Sequence, residues 1–218
     1  MSSAFVVGAT GGVGSELVKL LAESPRFSKV VLLARRNVDA EVGEKFVQKT
    51  VDFEKLELNA DDVRGVEVGF CSLGTTRAIA GADGFYRVDH DYVLNTAKLA
   101  KENGVKQFVL VTSSGANENS CIHYLKTKGE VERDIAELNF DKFVVMRPGM
   151  IEAKRSEMRI GERLLCLAVK PLKPFTNSLS SSATEIAKAM ITATRTELIG
   201  KHIWDNSKIV EEAKTYSP

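Results

Sequence analysis

Phe5-Val6-Val7-Gly8-Ala9-Thr10-Gly11-Gly12-Val13-Gly14 is an apolar run that feeds straight into a glycine-rich turn. Beyond it, Leu17, Val18, Leu20 and Leu21 recur at helical spacing until Ser24-Pro25 stops them. The order is strand, turn, helix. Gly8, Gly11 and Gly14 fall at even intervals, and without a Cβ they allow a tight turn, backbone contact with a pyrophosphate, and close packing of the helix. Amides at the helix N-terminus would then face the phosphates. An ordinary strand-to-helix turn also accommodates such glycines, so the context decides.

That context is an alternation of apolar runs with amphipathic segments. It predicts a parallel sheet covered on both faces: the α/β class, doubly wound, with a Rossmann NAD(P)-binding fold. Val30-Val31-Leu32-Leu33 reads as a second strand, ending in Ala34-Arg35-Arg36. Phe46-Val47 and Thr50-Val51-Asp52 suggest a third, 67–74 a fourth, 108–114 a fifth and 142–147 a sixth. Helices are expected over 92–100, before Asn103-Gly104, and over 123–138. Ser180 to Ser182 offers an N-cap for a helix over 184–193, and His202 and Trp204 fall in a last strand.

A chain of 218 residues can bury one substantial core, which predicts a single domain over 1–218. Thirty basic against twenty-nine acidic residues leave a formal charge of +1, so no nucleic-acid partner is implied. Cys71, Cys121 and Cys166 have neither zinc-site nor CxxC spacing and read as reduced, structural thiols of a cytosol-like compartment. The N-terminus lacks the pattern of a signal peptide, and no apolar run approaches the roughly twenty residues of a membrane helix. A soluble, cytoplasmic chain that is not an integral membrane protein is expected.

The end of the second strand is where a dinucleotide fold reads the adenosine ribose. An acidic residue there would accept from the 2′-hydroxyl, whereas Arg35 and Arg36 suit a 2′-phosphate and select NADP over NAD; two solvated arginines are the plain alternative. Asp52 could hold the adenine amino group or simply close a strand-end turn. Ser113-Ser114 ends the fifth strand, and Tyr124 and Lys128 follow one turn apart on a helix. A phenol titrates near 10, so it works poorly in acid-base chemistry at neutral pH until a cation favours the phenolate. Lys128 would supply that cation. With Tyr124 giving the proton and a serine hydroxyl donating to the same carbonyl oxygen, hydride delivery from a nicotinamide becomes feasible.

These residues resemble the short-chain dehydrogenase/reductase superfamily in its atypical branch. Val51-Asp52-Phe53-Glu54-Lys55-Leu56, Leu73-Gly74-Thr75-Thr76-Arg77, Tyr86-Arg87-Val88-Asp89-His90-Asp91-Tyr92 and Tyr124-Leu125-Lys126-Thr127-Lys128-Gly129-Glu130 look like its Tat-interactive-protein oxidoreductase family. The resemblance implies NADPH held by Gly8, Thr10, Gly11, Gly12, Val13 and Gly14, by Arg35, by Leu73 to Thr76, and by Tyr124 and Lys128. Asp52 and Phe53 join that set from the first block. Contacts from Pro148, Gly149, Met150 and Ile151 are also implied, and Pro148-Gly149 closes the sixth strand, where backbone can meet a nicotinamide carboxamide. Ser114 precedes Tyr124 by a shorter interval than the superfamily usually shows. Ser114 is taken as the catalytic serine, with Ser113 open beside it. The resemblance also covers redox-sensing regulators without turnover, and fungal relatives peripheral to the mitochondrial outer membrane.

His90, between Asp89 and Asp91, reads as a solvated or capping histidine rather than a metal ligand, because helical neighbours point apart. His123 reads as a surface residue beside the substrate mouth, and His202 as structural. No metal is expected. Between 152 and 182 the rhythm is lost; Leu164, Leu165, Leu167, Ala168 and Val169 suggest an apolar lid over the catalytic edge, or else a packing or dimer-forming helix. The expected function is NADPH-dependent reduction of a small, partly apolar carbonyl substrate by Ser114, Tyr124 and Lys128. A regulator whose NADPH-bound and empty states face a protein partner is the alternative. A nucleotide-sugar epimerase or dehydratase would need a larger substrate domain than 152–182 provides.

Overall fold

A computed structural model describes residues 1–38, 43–152 and 180–218. In chain order the described strands are β1 (Ser2–Val7), β2 (Phe27–Ala34), β3 (Phe46–Thr50), β4 (Val68–Cys71), β5 (Gln107–Val111), β6 (Lys142–Arg147), β7 (Met150–Glu152), β8 (Ser180–Ser182) and β9 (Gly200–Asp205). Seven form one sheet in the order β3-β2-β1-β4-β5-β6-β9, every pair parallel, while β7 and β8 form a separate parallel ladder. The doubly wound Rossmann architecture is the one expected, with the last strand added to the six-strand frame.

The central strands are apolar throughout because both faces are covered. In β1, Ala4 and Val6 point into one core with Leu17, Val18 and Leu21 of helix α1 (Gly12–Glu23). Phe5 and Val7 point into the other core. The first layer is completed by α6 (Ala183–Ala193) and α7 (Asn206–Lys214). The second contains α4 (Tyr92–Glu102) and α5 (His123–Ala136). Gly69 in β4 makes room for the rings of Phe5 and Phe108 on the flanking strands, since a Cβ there would lie 2.6 Å from the Phe5 ring. A buried phenylalanine contributes about 1.5–3 kcal/mol, so this aromatic seam is a substantial part of the sheet's stability.

From β1 the chain winds outward through β2 and β3, then returns to β4 on the other side of β1. The carboxyl ends of β1 and β4 therefore flank the crevice where a doubly wound fold receives its ligand.

Several local expectations shift. The third strand stops at Thr50; Asp52 instead caps a 3-10 turn (Phe53–Asn59) that leads into the short helix α2 (Ala60–Val63), its Oδ1 accepting from the Glu54 amide at 3.0 Å. The helix expected from Tyr92 begins earlier, as α3 (Arg77–Tyr86) and a π-helical turn (Arg87–Asp91) that runs directly into α4. Gly81, at φ +72°, and Gly84 dilute the helical signal of α3. Strand β5 ends at Val111, which leaves Ser113 and Ser114 in the loop beyond it. Ser182 caps α6 as expected, in a full capping box with Glu185. Cys166 and the apolar stretch 164–169 lie outside the described residues.

Candidate dinucleotide and catalytic site

The turn after β1 is built by its glycines. Gly8 sits at φ +87°, and a Cβ on it would lie 2.6 Å from the Ser72 carbonyl carbon, so here β1 and the segment after β4 run too close for any side chain. At Gly14 a Cβ would fall 2.0 Å from the Gly8 oxygen, making this the glycine that lets α1 close on the turn. Gly12 faces open space. Helix α1 has no side-chain cap and no acidic residue in its first turn, so its leading amides and partial positive charge face the crevice unopposed. A tight turn closed by glycines, below an uncapped helix N-terminus, fits a dinucleotide pyrophosphate.

On the β2 side, Arg35 and Arg36 are exposed immediately after the strand. The Asp52 carboxylate is exposed, with one oxygen used in its cap, while the Phe53 ring is buried and stacked on Tyr92 at 5.3 Å, leaving Phe53 only backbone to offer a ligand. On the β4 side Leu73 packs against the core, Gly74 is exposed, and the Thr75 amide donates to Asp89 Oδ2 at 2.7 Å. Past β6, Pro148 is buried, its carbonyl accepting from the Ser114 amide at 2.8 Å. The Gly149 amide is held by Asn206, and Met150 and Ile151 pair with Ser180 and Ser181.

Helix α5 brings the catalytic candidates to this edge. Tyr124, Lys128 and Glu132 stand one turn apart on a single face. Tyr124 is 42 % exposed, its ring 5.6 Å from that of Phe85 on α3. Lys128 is 5 % exposed, and its ammonium has a partner the sequence reading did not offer: it is paired with Asp89 Oδ1 at 2.7 Å, and Asp89 is itself 1 % exposed. Ser113 donates to the Ser114 carbonyl at 3.3 Å, whereas the Ser114 hydroxyl is exposed with no partner among the described residues. The short interval from Ser114 to Tyr124 is accommodated by folding the loop onto α5: the Asn117 amide donates to the Leu125 carbonyl at 3.0 Å, and a Cβ on Gly129 would lie 2.1 Å from the Glu118 nitrogen.

Two groups that fix α5 escape the sequence reading. Glu132 accepts from Thr112 Oγ1 at 2.6 Å and is gripped by the Arg147 guanidinium, tying the helix to β5 and to β6. Continuing the Tyr124-Lys128 spacing by one turn reaches it. Asp89 lies on the face marked by Phe85, Val93, Ala97 and Ala100, and a carboxylate on an apolar face was its signal.

His90 is corrected from solvated to buried. Its Nδ1 and Nε2 each lie 2.9 Å from a carboxylate, of Asp91 and Asp134, and its ring stacks on Tyr86 at 4.6 Å. The first contact is between chain neighbours and the second crosses to α5. Burial raises the Asp134 carboxyl, but hydrogen bonds from His90 and Arg133 outweigh it and leave the pKa lowered. His123 is half-buried against Phe85 and Tyr86 rather than a free surface residue. The ring of His202 reaches the Ile199 carbonyl at 2.9 Å, a structural contact as expected. Cys71 is buried, which pushes its thiol up to about 11, and Cys121 is exposed, contrary to a structural role. Among the described residues no cluster of His, Cys, Asp or Glu could hold a metal, and no helix is long and apolar enough to cross a membrane.

A family profile described as NAD(P)H-binding matches residues 8–197. The chain is 49 % identical over 164 residues to Protein HTATIP2 of Rattus norvegicus, an alignment covering 74 % of this chain and 68 % of that protein. It is 42 % identical over 156 residues to Protein FMP52, mitochondrial, of Debaryomyces hansenii, covering 71 % and 69 %. Among solved structures, a short chain dehydrogenase from Burkholderia cenocepacia in complex with NADP superposes with a TM-score of 0.71 at 18 % identity, covering 98 % of this chain and 91 % of that one. MoeE5 in complex with UDP-glucose and NAD superposes with a TM-score of 0.71 at 16 % identity, covering 98 % and 82 %. At such identities the likeness is one of fold.

Proposed function

Because this chain belongs to the NAD(P)H-binding family shared with the HTATIP2 and FMP52 proteins, within the atypical short-chain dehydrogenases/reductases, we propose that it is an NADPH-dependent reductase of a small, partly apolar carbonyl compound. The observation that supports the reading is the folding of the loop that carries Ser114 onto the start of α5, which carries Tyr124 and Lys128, the Asn117 amide donating to the Leu125 carbonyl at 3.0 Å.

NADPH, when bound, supplies the hydride. Gly8, Gly11 and Gly14 admit its pyrophosphate and the first amides of α1 neutralise the phosphates, while Arg35 and Arg36 bind the 2′-phosphate. The Ser114 hydroxyl, which has no partner among the described residues, donates to the substrate carbonyl oxygen. As that oxygen gains negative charge, the Tyr124 hydroxyl gives it a proton. Tyr124 is accessible from solvent, so it can be reprotonated between turnovers. In this reading 1–218 acts as one domain, with 152–182 as the lid on the substrate side.

A specific observation favours the second reading, an NADPH-binding sensor: the charge expected to activate Tyr124 is paired with Asp89. NADPH consumption with a panel of aldehydes, ketones and quinones separates the two. For a reductase, Tyr124→Phe binds NADPH within about 1 kcal/mol of the wild type, one hydroxyl being lost, yet loses nearly all turnover. A wild type inert across the panel makes the protein a sensor. Cytoplasmic residence is the simpler location; the mitochondrial designation of the FMP52 relatives makes peripheral attachment to that organelle the alternative.

A further inference from the structure

Asn206 opens α7, late in the chain, yet its side chain reaches the turn after β6. It is 5 % exposed. Its Oδ1 accepts from the Gly149 amide at 2.8 Å and its Nδ2 donates to the Ser180 carbonyl at 3.0 Å, so one carboxamide links the turn, β8 and α7. Helix α7 does not need this residue for its cap: Asp205 fills that role, its Oδ1 accepting from the Lys208 amide at 2.9 Å. Between β6 and β7 stand Pro148 and Gly149. Pro148 has no amide to give and Gly149 leaves the backbone permissive, so the turn takes its course from bonds made to it by other segments. One comes from the Ser114 amide, which donates to the Pro148 carbonyl at 2.8 Å, and the other from Asn206.

We propose that Asn206 is a positioning residue for the nicotinamide half of the dinucleotide, acting through the backbone of the turn after β6. Its oxygen takes the Gly149 amide while the Ser114 loop takes the Pro148 carbonyl, so the turn is fixed from both sides before a ligand arrives. A carboxamide suits the place. It offers an acceptor to an amide and a donor to a carbonyl, and it stays neutral where a buried charge would need a partner. Placement follows from topology. The β1-β4 crevice divides the site, Arg35 standing on the β2 side and the end of β6 on the β5 side, so a ligand that ends at the adenosine half does not reach the turn.

This inference rests on the NADPH reading, and the test keeps the two apart. Calorimetry is run with NADPH and with 2′,5′-ADP, which carries the adenosine half alone, on the wild type, Asn206→Ala and Asn206→Asp. Asn206→Ala should weaken NADPH about three- to tenfold, the scale of lost neutral hydrogen bonds, and leave 2′,5′-ADP within about twofold. Asn206→Asp gives up the donor to Ser180 but keeps an acceptor for the Gly149 amide, and should recover most of the NADPH affinity. Should Asn206→Ala fail to fold, Asn206→Gln keeps the carboxamide, displaces it by one methylene, and must show the same selective loss. Unchanged NADPH affinity in Asn206→Ala overturns the inference alone. So does a parallel loss of both ligands, which marks a purely structural residue, or an Asn206→Asp variant as weak as Asn206→Ala. A wild type that binds neither ligand overturns the NADPH reading and this inference with it.

Discussion

Arg35 and Arg36 emerge from β2 with no buried role to confuse their reading. Replacing both by alanine should weaken NADPH by roughly 1.5–3 kcal/mol in calorimetry and barely alter NADH, because only the 2′-phosphate offers them charge-assisted bonds. Equal losses would move the 2′-phosphate elsewhere. The glycines separate in another way. Gly11→Val should leave a folded protein that has lost NADPH, since a Cβ there meets only the Gly8 oxygen, at 3.3 Å, whereas Gly14→Val should fail by circular dichroism, its Cβ falling 2.0 Å from the same atom. All three glycines were legible as a motif. Their division of labour was not, because the constraint on Gly8 comes from Ser72, far along the chain. The pairing of Lys128 was hidden for the same reason: sequence spacing places it near Tyr124, and only the fold brings Asp89 within 2.7 Å.

Helix α5 carries the proposed chemistry and its own attachment on one face, Tyr124 and Lys128 above, Glu132 below. Arg147→Ala strands the Glu132 carboxylate, 1 % exposed, with Thr112 as its remaining side-chain partner, and should cost about 3–5 kcal/mol in urea unfolding. Glu132→Gln should cost less, because it keeps an acceptor for Thr112 and leaves a partly exposed arginine that water can reach. The reverse order would mean that Arg147 is not what holds the helix to β6. At this scale, strands β1, β2 and β6 were legible from uninterrupted apolar runs, and α5 from its period. Helix α3 and the π-helical turn were not: Gly81 and Gly84 weaken the periodicity, and the buried polar pair Asp89-His90 breaks the apolar face that marks a helix.

Across the whole molecule, a ligand spanning the β1-β4 crevice would bridge both halves of the sheet and favour the folded state. NADPH at a hundred times its dissociation constant should raise the unfolding free energy by about 2.7 kcal/mol, seen as a higher melting temperature. NADH at the same absolute concentration should raise it less. An unmoved transition would leave the crevice without its ligand. The parallel order and the crevice were foreseeable from the alternation of strands and helices, while the separate β7-β8 ladder was not, since three-residue strands carry too little pattern. That ladder has a consequence of its own. It sets Ser180–Ser182 parallel to Met150–Glu152, just past the end of β6, and the capping box at Ser182 starts α6 at once. The first turn of α6 is therefore anchored twice over, by a ladder to the segment that follows β6 and by its own cap, so the helix that covers the sheet inherits its starting point from the strand it covers.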